Sequence, residues 1–307
     1  MLFLATSLTY FLASAFLDPR SDYLKLRPIP PESSIDASLT YAGVNDKTPI
    51  MERYGHWLHQ IITQWNWGYS PQGEPINHQL WGRAWVSFQL VMPATILTVA
   101  LGVGLGVYTA IRKYKAADRT WNVISSFFLI VPTFVLALLI VLAYLQIDQH
   151  TGEHHPLSVV GLDTSSPLAY VQSLALPVIS LTLATYAGYH FTQRTYLLDE
   201  INADYVRTAR AKGLTKNVAI RRHALRPSLI PTAFSVALNV ALAVTGAVFI
   251  ESIFAIQGAG LYFLSTLQQN DINGAVGVAF LGGLFTCVGL TLADVTIAMI
   301  DPRIRIS

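Results

Sequence analysis

Charge is scarce in this chain. Lys, Arg, Asp and Glu make up 12% of its 307 residues, against about 25% in soluble domains. Hydrophobic residues reach 52% and mean hydropathy is +0.44. That deficit excludes an ordinary soluble domain and points to a membrane protein. The net charge of +2 is too small to argue for a nucleic-acid partner. There is one cysteine, Cys287. It sits in an apolar run, cannot form an internal disulfide, and reads as a packing residue. No Ser-His-Asp, Cys-His, HExxH or Walker-type arrangement occurs, so any ATP-driven work needs a separate ATPase chain. "LGVGLG" (101–106) imitates a nucleotide loop but has no strand before it. Its Gly102 and Gly106 form a GxxxG step suited to close helix packing, and Ala100 and Gly104 suit the same purpose.

What is present is a set of long apolar runs. A crossing helix needs about 20 such residues, and five runs qualify: 87–111, 121–146, 168–193, 228–256 and 274–299. Residues 1–17 are a sixth. They lack the basic start of a signal peptide, and "ASAFLDPR" is a weak cleavage site, so they read as span one, entered from a few residues upstream. Segments 112–119, 194–227 and the tail "DPRIRIS" hold 14 of the 20 Lys and Arg, and 18–86 holds the other six. The positive-inside rule therefore places the 194–227 loop and both termini in the cytoplasm. Segment 18–86 is then an external cap. It carries five of the six Trp. A short helix is expected near 49–64, capped by Thr48, with Trp57, Ile61 and Trp65 forming an apolar face for the outer leaflet or a partner.

The stretch "YVRTARAKGLTKNVAIRRHALRP" (205–227) carries seven Arg and Lys and no acid. Helix formers run to Gly213, and a helical pattern resumes before Pro227: helix, glycine turn, helix. Asp204 and Asn202 are cap candidates. Ala203, Ala209, Ala211 and Gly213 leave backbone open for close contact. Val206, Ala209 and Gly213 share one stripe; Ala219, His223 and Arg226 share another. Positive-inside bias or anionic lipid explains the charge, but not the length or the small residues at one bend. Docking to a cytoplasmic partner explains all three.

Four strings in order now carry a family resemblance. Tyr205, Arg207, Thr208, Ala209, Arg210, Ala211, Lys212, Gly213 and Leu214, followed by Arg222, His223, Ala224, Leu225, Arg226 and Pro231, resemble the EAA-type coupling loop of ATP-binding-cassette importer permeases, in its peptide branch. "TGAVFIESIFAIQGAG" (245–260), "DPRIRIS" and "GVYTAIRKYKAADR" are similar to further strings of that family. The type it most resembles is the first permease subunit of an oligopeptide or dipeptide importer. Three departures stand out: Arg207 and Thr208 occupy the Glu and first Ala positions of the general pattern, Gln257 replaces a proline, and basic residues before span one are missing. The resemblance implies an all-α, six-span, type I importer permease with the coupling helix-turn-helix within 194–227. It implies a homologous second permease, two ATPase subunits or one fused ATPase, an extracytoplasmic binding protein, peptide cargo and membrane lipid as partners. It implies ATP and Mg in the ATPases and no cofactor or metal in this chain. Residues 205–214 would carry the ATPase contact, and Glu251 would tether an external gate.

Gln89, Asn239 and Thr245 are polar residues within spans, able to line an aqueous path or bond helix to helix. Asp294 is expected to pair with a basic neighbour near the inner surface. "HTGEHH" (150–155) supports a rival cargo, nickel or another small solute, though a hydrophilic loop is the plainer account. A membrane enzyme using Glu251 or Asp294 with His190 is a second rival, and a lipid-binding scaffold a third.

Overall fold

The computed structural model describes residues 1–151, 157–242 and 247–300. These residues form helices and connections; the single extended pairing among them is a bridge between Tyr69 and Pro75. The chain divides into two compact units. The first comprises Met1–Phe88, Val244–Glu251 and Gln257–Thr286, the second Gln89–Ala243, Ser252–Ile256 and Cys287–Ser307.

In the first unit, α1 (Leu2–Phe16) leads through α2 (Pro19–Leu24), α3 (Glu32–Tyr41) and α4 (Ile50–Gln64) to the start of α5 (Ile76–Ile111). Residues 76–86 of the expected cap are helical, the first turns of α5, and belong to the same unit as the cap. The expected cap helix forms, but Pro49 is its N-cap and no side chain caps it, so Thr48 has no such role. Trp57 does not face a leaflet. It is buried beside Tyr10, with ring centroids 4.8 Å apart. Ile61 is half-buried and Trp65 exposed. Trp57, Trp67, Ile76, Leu80, Ile272 and Val276 belong to one apolar core, so the cap is packed on the ends of α1, α5 and α14 (Ile272–Ile300). Ion pairs tie its outside. Arg20 contacts Asp36 at 2.6 Å and Asp46 at 2.7 Å, and Lys47 contacts Glu32 and Asp36, each at 2.7 Å. Hydrogen bonds from Lys47 and Arg20 hold the Asp36 carboxyl below its ordinary range.

In the second unit, α5 continues and is followed by α6 (Ala116–Ile130), α7 (Thr133–Thr151), α8 (Pro167–Ile201), α9 (Asp204–Ala211), α10 (Lys216–Ala219) and α11 (Leu225–Leu242). The run 121–146, expected as one span, is two helices. Pro132 has no N–H to continue α6, and Val131 is extended with ψ 123°. Gly102 and Gly106 let α5 meet α8 closely. A Cβ on Gly102 would lie 2.6 Å from the Tyr186 carbonyl oxygen, and one on Gly106 2.8 Å from the His190 carbonyl oxygen. Gly104 meets open space and Ala100 is exposed, so neither serves that contact.

Among the described residues, five helical stretches are long and apolar enough to cross a membrane: Leu2–Leu24, Ile76–Ile111, Thr133–His150, Pro167–Ile201 and Ile272–Val295. The expected span 228–256 corresponds to α11 and α12 (Val248–Ile253), separated by residues 243–246 outside the described set. A further helix, α13 (Ala259–Gln268), precedes α14.

Candidate functional site

The basic stretch folds as helix, turn, helix. α9 begins after Ala203, with no side-chain cap. Asn202 instead closes α8, its Nδ2 donating to the Leu198 carbonyl at 2.9 Å. Asp204 is the first helical residue, where its charge complements the helix dipole. α9 stops at Gly213, whose φ of +93° is the left-handed region open to glycine. The Gly213 N–H donates to Arg210 O at 3.0 Å, and the Leu214 N–H to Ala209 O at 3.3 Å. A Cβ at Gly213 would meet nothing within 4 Å. Backbone conformation alone therefore demands glycine here. The second helix does not stop at Pro227. It runs from α10 through a π-turn, Ile220–Ala224, into α11. Pro227 lacks the N–H that would reach the His223 carbonyl, and the wider π-turn, with Leu225 N–H bonded to Ile220 O, lies just before it.

The motif has two faces. Val206, Ala209, Ala219, Ile220 and Ala224 are buried and share a core with Ala110 of α5 and Leu197 of α8. The Val206 and Ala209 stripe thus seats α9 on its own chain, which corrects the expectation that Ala209 offers open backbone. Tyr205, Arg207, Thr208, Arg210, Ala211, Lys212 and Gly213 are exposed, and Leu214 is half-buried. Arg207 has only a 3.6 Å contact with exposed Asp204. Tyr205 donates to Glu200; burial, and then Glu200, push its phenol above the usual range. The outward surface is accordingly cationic, with donors suited to charge-assisted bonds.

One anchor was invisible in the sequence. Asp118, at the start of α6, is buried and accepts Arg194 Nε at 2.9 Å and Nη2 at 3.0 Å, a fork-on-carboxylate pair. Tyr114 N–H and Asn122 Nδ2 complete its shell at 2.9 Å and 2.8 Å. Burial pushes the Asp118 carboxyl up, but Arg194, the Tyr114 N–H and Asn122 outweigh it and the net shift is downward. The pair fixes the α5–α6 turn to the α8 segment that feeds α9.

The remaining candidates scatter. In the first unit Glu251 is fully buried, accepting Ser87 Oγ at 2.5 Å and the Leu261 N–H at 2.7 Å. Ser87 also accepts the Ala259 N–H at 2.8 Å. Gly258 fits this knot because a Cβ there would sit 2.4 Å from the Glu251 carboxyl. Gln257 is held by Arg83 Nη1 at 2.6 Å, so the residue standing in place of proline is bonded to α5. In the second unit Gln89 accepts from Tyr170, and Asn239 is exposed and donates to Tyr189 Oη at 2.8 Å. Thr245, most of "HTGEHH" and the tail fall outside the described residues. Asp294 is exposed and has no ion-pair partner among the described residues, so the expected pairing is not seen. His190 is buried with Nε2 3.0 Å from Thr109 Oγ1 and Nδ1 2.8 Å from Ser125 Oγ, a satisfied core histidine. Among the described residues no three His, Cys, Asp or Glu gather as metal ligands.

Comparison with known proteins agrees with this geometry. The family model described as binding-protein-dependent transport system inner membrane component matches residues 102–306. The oligopeptide transport system permease protein OppB of Mycobacterium tuberculosis is 35% identical over 315 residues, covering 100% of this chain and 96% of that protein. The dipeptide transport system permease protein DppB of Lactococcus lactis is 30% identical over 307 residues, covering 99% and 95%. A chain of the MetNI methionine ABC transporter, in an inward-facing form, superposes with a TM-score of 0.56 at 15% identity, covering 74% of this chain and 99% of that one. That likeness speaks for the fold. With five helices long and apolar enough to cross a membrane, a helical fold among the described residues and a basic helix-turn-helix seated on its own core, the chain belongs to the family of binding-protein-dependent transport system inner membrane components.

Proposed function

We propose that this chain is the first of two permease halves forming the pore of an ATP-driven peptide importer. The observation that carries the reading is the two-faced α9. Its apolar side is buried in a core shared with α5, α8, α10 and the π-turn, while Arg207, Arg210 and Lys212 point outward from a glycine-bent turn. A surface built this way transmits force from a partner to the membrane helices. The partner is an ATPase, present as two subunits or one fused chain, which binds the ATP and Mg. The basic loop and both termini then lie in the cytoplasm, and the cap faces outward toward an extracytoplasmic binding protein. Peptide cargo follows from relatives named as oligopeptide and dipeptide permeases.

The test is reconstitution of the assembled transporter in vesicles, with uptake of a labelled tripeptide and ATP hydrolysis measured together. Arg210→Glu reverses one exposed charge without touching the buried face. It is expected to cut uptake at least tenfold, about 1.4 kcal/mol of coupling, while the subunits still co-purify. Unchanged uptake with Arg210→Glu and Lys212→Glu combined would refute the ATPase contact. Uptake of nickel but not peptide would refute the cargo.

A further inference from the structure

We propose that the cap holds a recognition cleft for the terminal carboxylate of a short peptide, with Arg53 as its anion-binding group. The cleft is about 360 Å³, and its lining includes Tyr41, Asn45, Glu52, Arg53, His56 and Tyr69. That volume lies at the small end of ligand sites and suits a peptide end of about two residues.

Arg53 stands apart from the other cations of the cap. Arg20, Lys25 and Lys47 each contact an acid within 2.7 Å, and Arg27 is exposed to water. Arg53 is half-buried, donates from Nη1 to the Val44 carbonyl at 3.2 Å, and has no acidic partner among the described residues. Its Nε is buried without a hydrogen-bond partner. A donor drawn out of water without a partner is costly, and the planar fork of a guanidinium matches a carboxylate.

The walls are set in advance. Asn273 Nδ2 donates to the Ala42 carbonyl at 2.8 Å and to the Tyr69 carbonyl at 2.9 Å, pinning both sides of the cleft. Tyr41 and Tyr69 rings pack 4.7 Å apart. Gly68 approaches Asn273 so closely that a Cβ would lie 2.8 Å from its Nδ2. The occupant's chemistry follows from the lining. Glu52, beside Arg53, repels multiply charged anions such as phosphate and favours a ligand with one carboxylate and N–H donors nearby. The tyrosine pair offers apolar area. A peptide terminus has all three properties.

This inference rests on the peptide-import reading, but its test stands apart from uptake. The assembled transporter in nanodiscs, without binding protein, is titrated with N-acetyl-alanyl-alanine and with its C-terminal amide, followed by saturation-transfer NMR. The acid is expected to bind at least about tenfold tighter than the amide, the factor for a hydrogen bond to a charged group. Arg53→Gln removes that preference and Arg53→Lys keeps part of it. Glu52→Gln, at an exposed position, tightens the acid about threefold and so widens its preference over the amide. Equal binding of acid and amide to the native chain, or no binding of the acid, overturns the proposal even if Arg53→Gln fails to fold. So does a preference that survives Arg53→Gln. Loss of peptide uptake with the acid preference intact instead refutes the import reading and leaves the cleft standing.

Discussion

Asp118→Asn isolates the anchor beneath the basic motif. The native carboxylate takes four donors: two from Arg194, one from the Tyr114 N–H and one from Asn122. Asparagine keeps the shape but presents one oxygen and one NH2, so Arg194 faces a donor and loses its counter-charge. Breaking a buried pair by removing one partner costs roughly 3–5 kcal/mol. Asp118 is 3% exposed at its side chain and Arg194 20%, so water relieves part of the loss and about 3 kcal/mol is expected. That corresponds to about a hundredfold rise in local opening. The assay is hydrogen exchange at the amides of 114–119 and 194–201, native against variant. The sign with pH follows from the downward shift at Asp118. A carboxyl lowered in the fold contributes stability that is fully present above its unfolded value of 3.8 and is lost as pH falls through the folded value. The native-to-variant difference should therefore be constant between pH 5 and pH 8 and shrink in acid below about pH 4. A difference under about threefold at pH 7, or one that persists undiminished in acid, would show that the pair does not hold this turn.

Three further outcomes follow from single positions. Gly213→Ala places a Cβ at φ +93° and should cost about 1–2 kcal/mol of local strain, read as increased proteolysis at the turn; no change would mean that the turn relaxes freely. Gly258→Ala sets a Cβ 2.4 Å from the Glu251 carboxyl and 2.6 Å from Ser87 Oγ; about 1–3 kcal/mol of overpacking should expose the Ala259 and Leu261 amides to exchange, and retained protection would refute the knot. Asp271, next to α14, is pushed up to about 6 by burial; a raised acid loses stability as pH rises from its unfolded value through 6, so Asp271→Asn, which keeps the cap on Gly274 N–H, should raise the melting temperature at pH 8 and not at pH 4.

The helical class and the apolar segments were legible because composition and run length carry them. The helix-turn-helix was legible for the same reason: one glycine between two helix-forming stretches, with charge of one sign. Its facing was not. Alanine at 206–213 spacing reads equally well as open backbone or as close packing, and only the shared core with Ala219, Ile220, Leu197 and Ala110 decides that Ala209 turns inward. The break at Pro132 was hidden because both flanks are apolar, so hydropathy does not dip there. Asp118 and Arg194 lie 76 residues apart, and Ser87 and Glu251 lie 164 apart. No local pattern joins such pairs. Thr48, Asn202 and Asp204 were credited with caps on residue type, whereas Pro49 and Ala203 take those places through backbone conformation alone.

The unbroken second helix changes how the motif can act. Had the chain stopped at Pro227, the turn at 212–215 would hang on a flexible joint, and a push on Arg210 or Lys212 would be lost there. Instead α10, the π-turn and α11 follow without a loop from Lys216 to Leu242, while Ala219, Ile220 and Ala224 share the core that holds α9. Displacement of the turn therefore enters two helices at once, α8 through Val206 and Leu197, and α11 along its own axis. The softest point on the second route is the π-turn, where the Leu225 N–H reaches back five residues to Ile220. Bending is expected to concentrate there, because the wider turn forgoes the regular ladder. A lever fixed at α8 and compliant at residues 220–224 would rotate α11 against the rest of its unit, and the placement of Asn239 on that helix would turn with it.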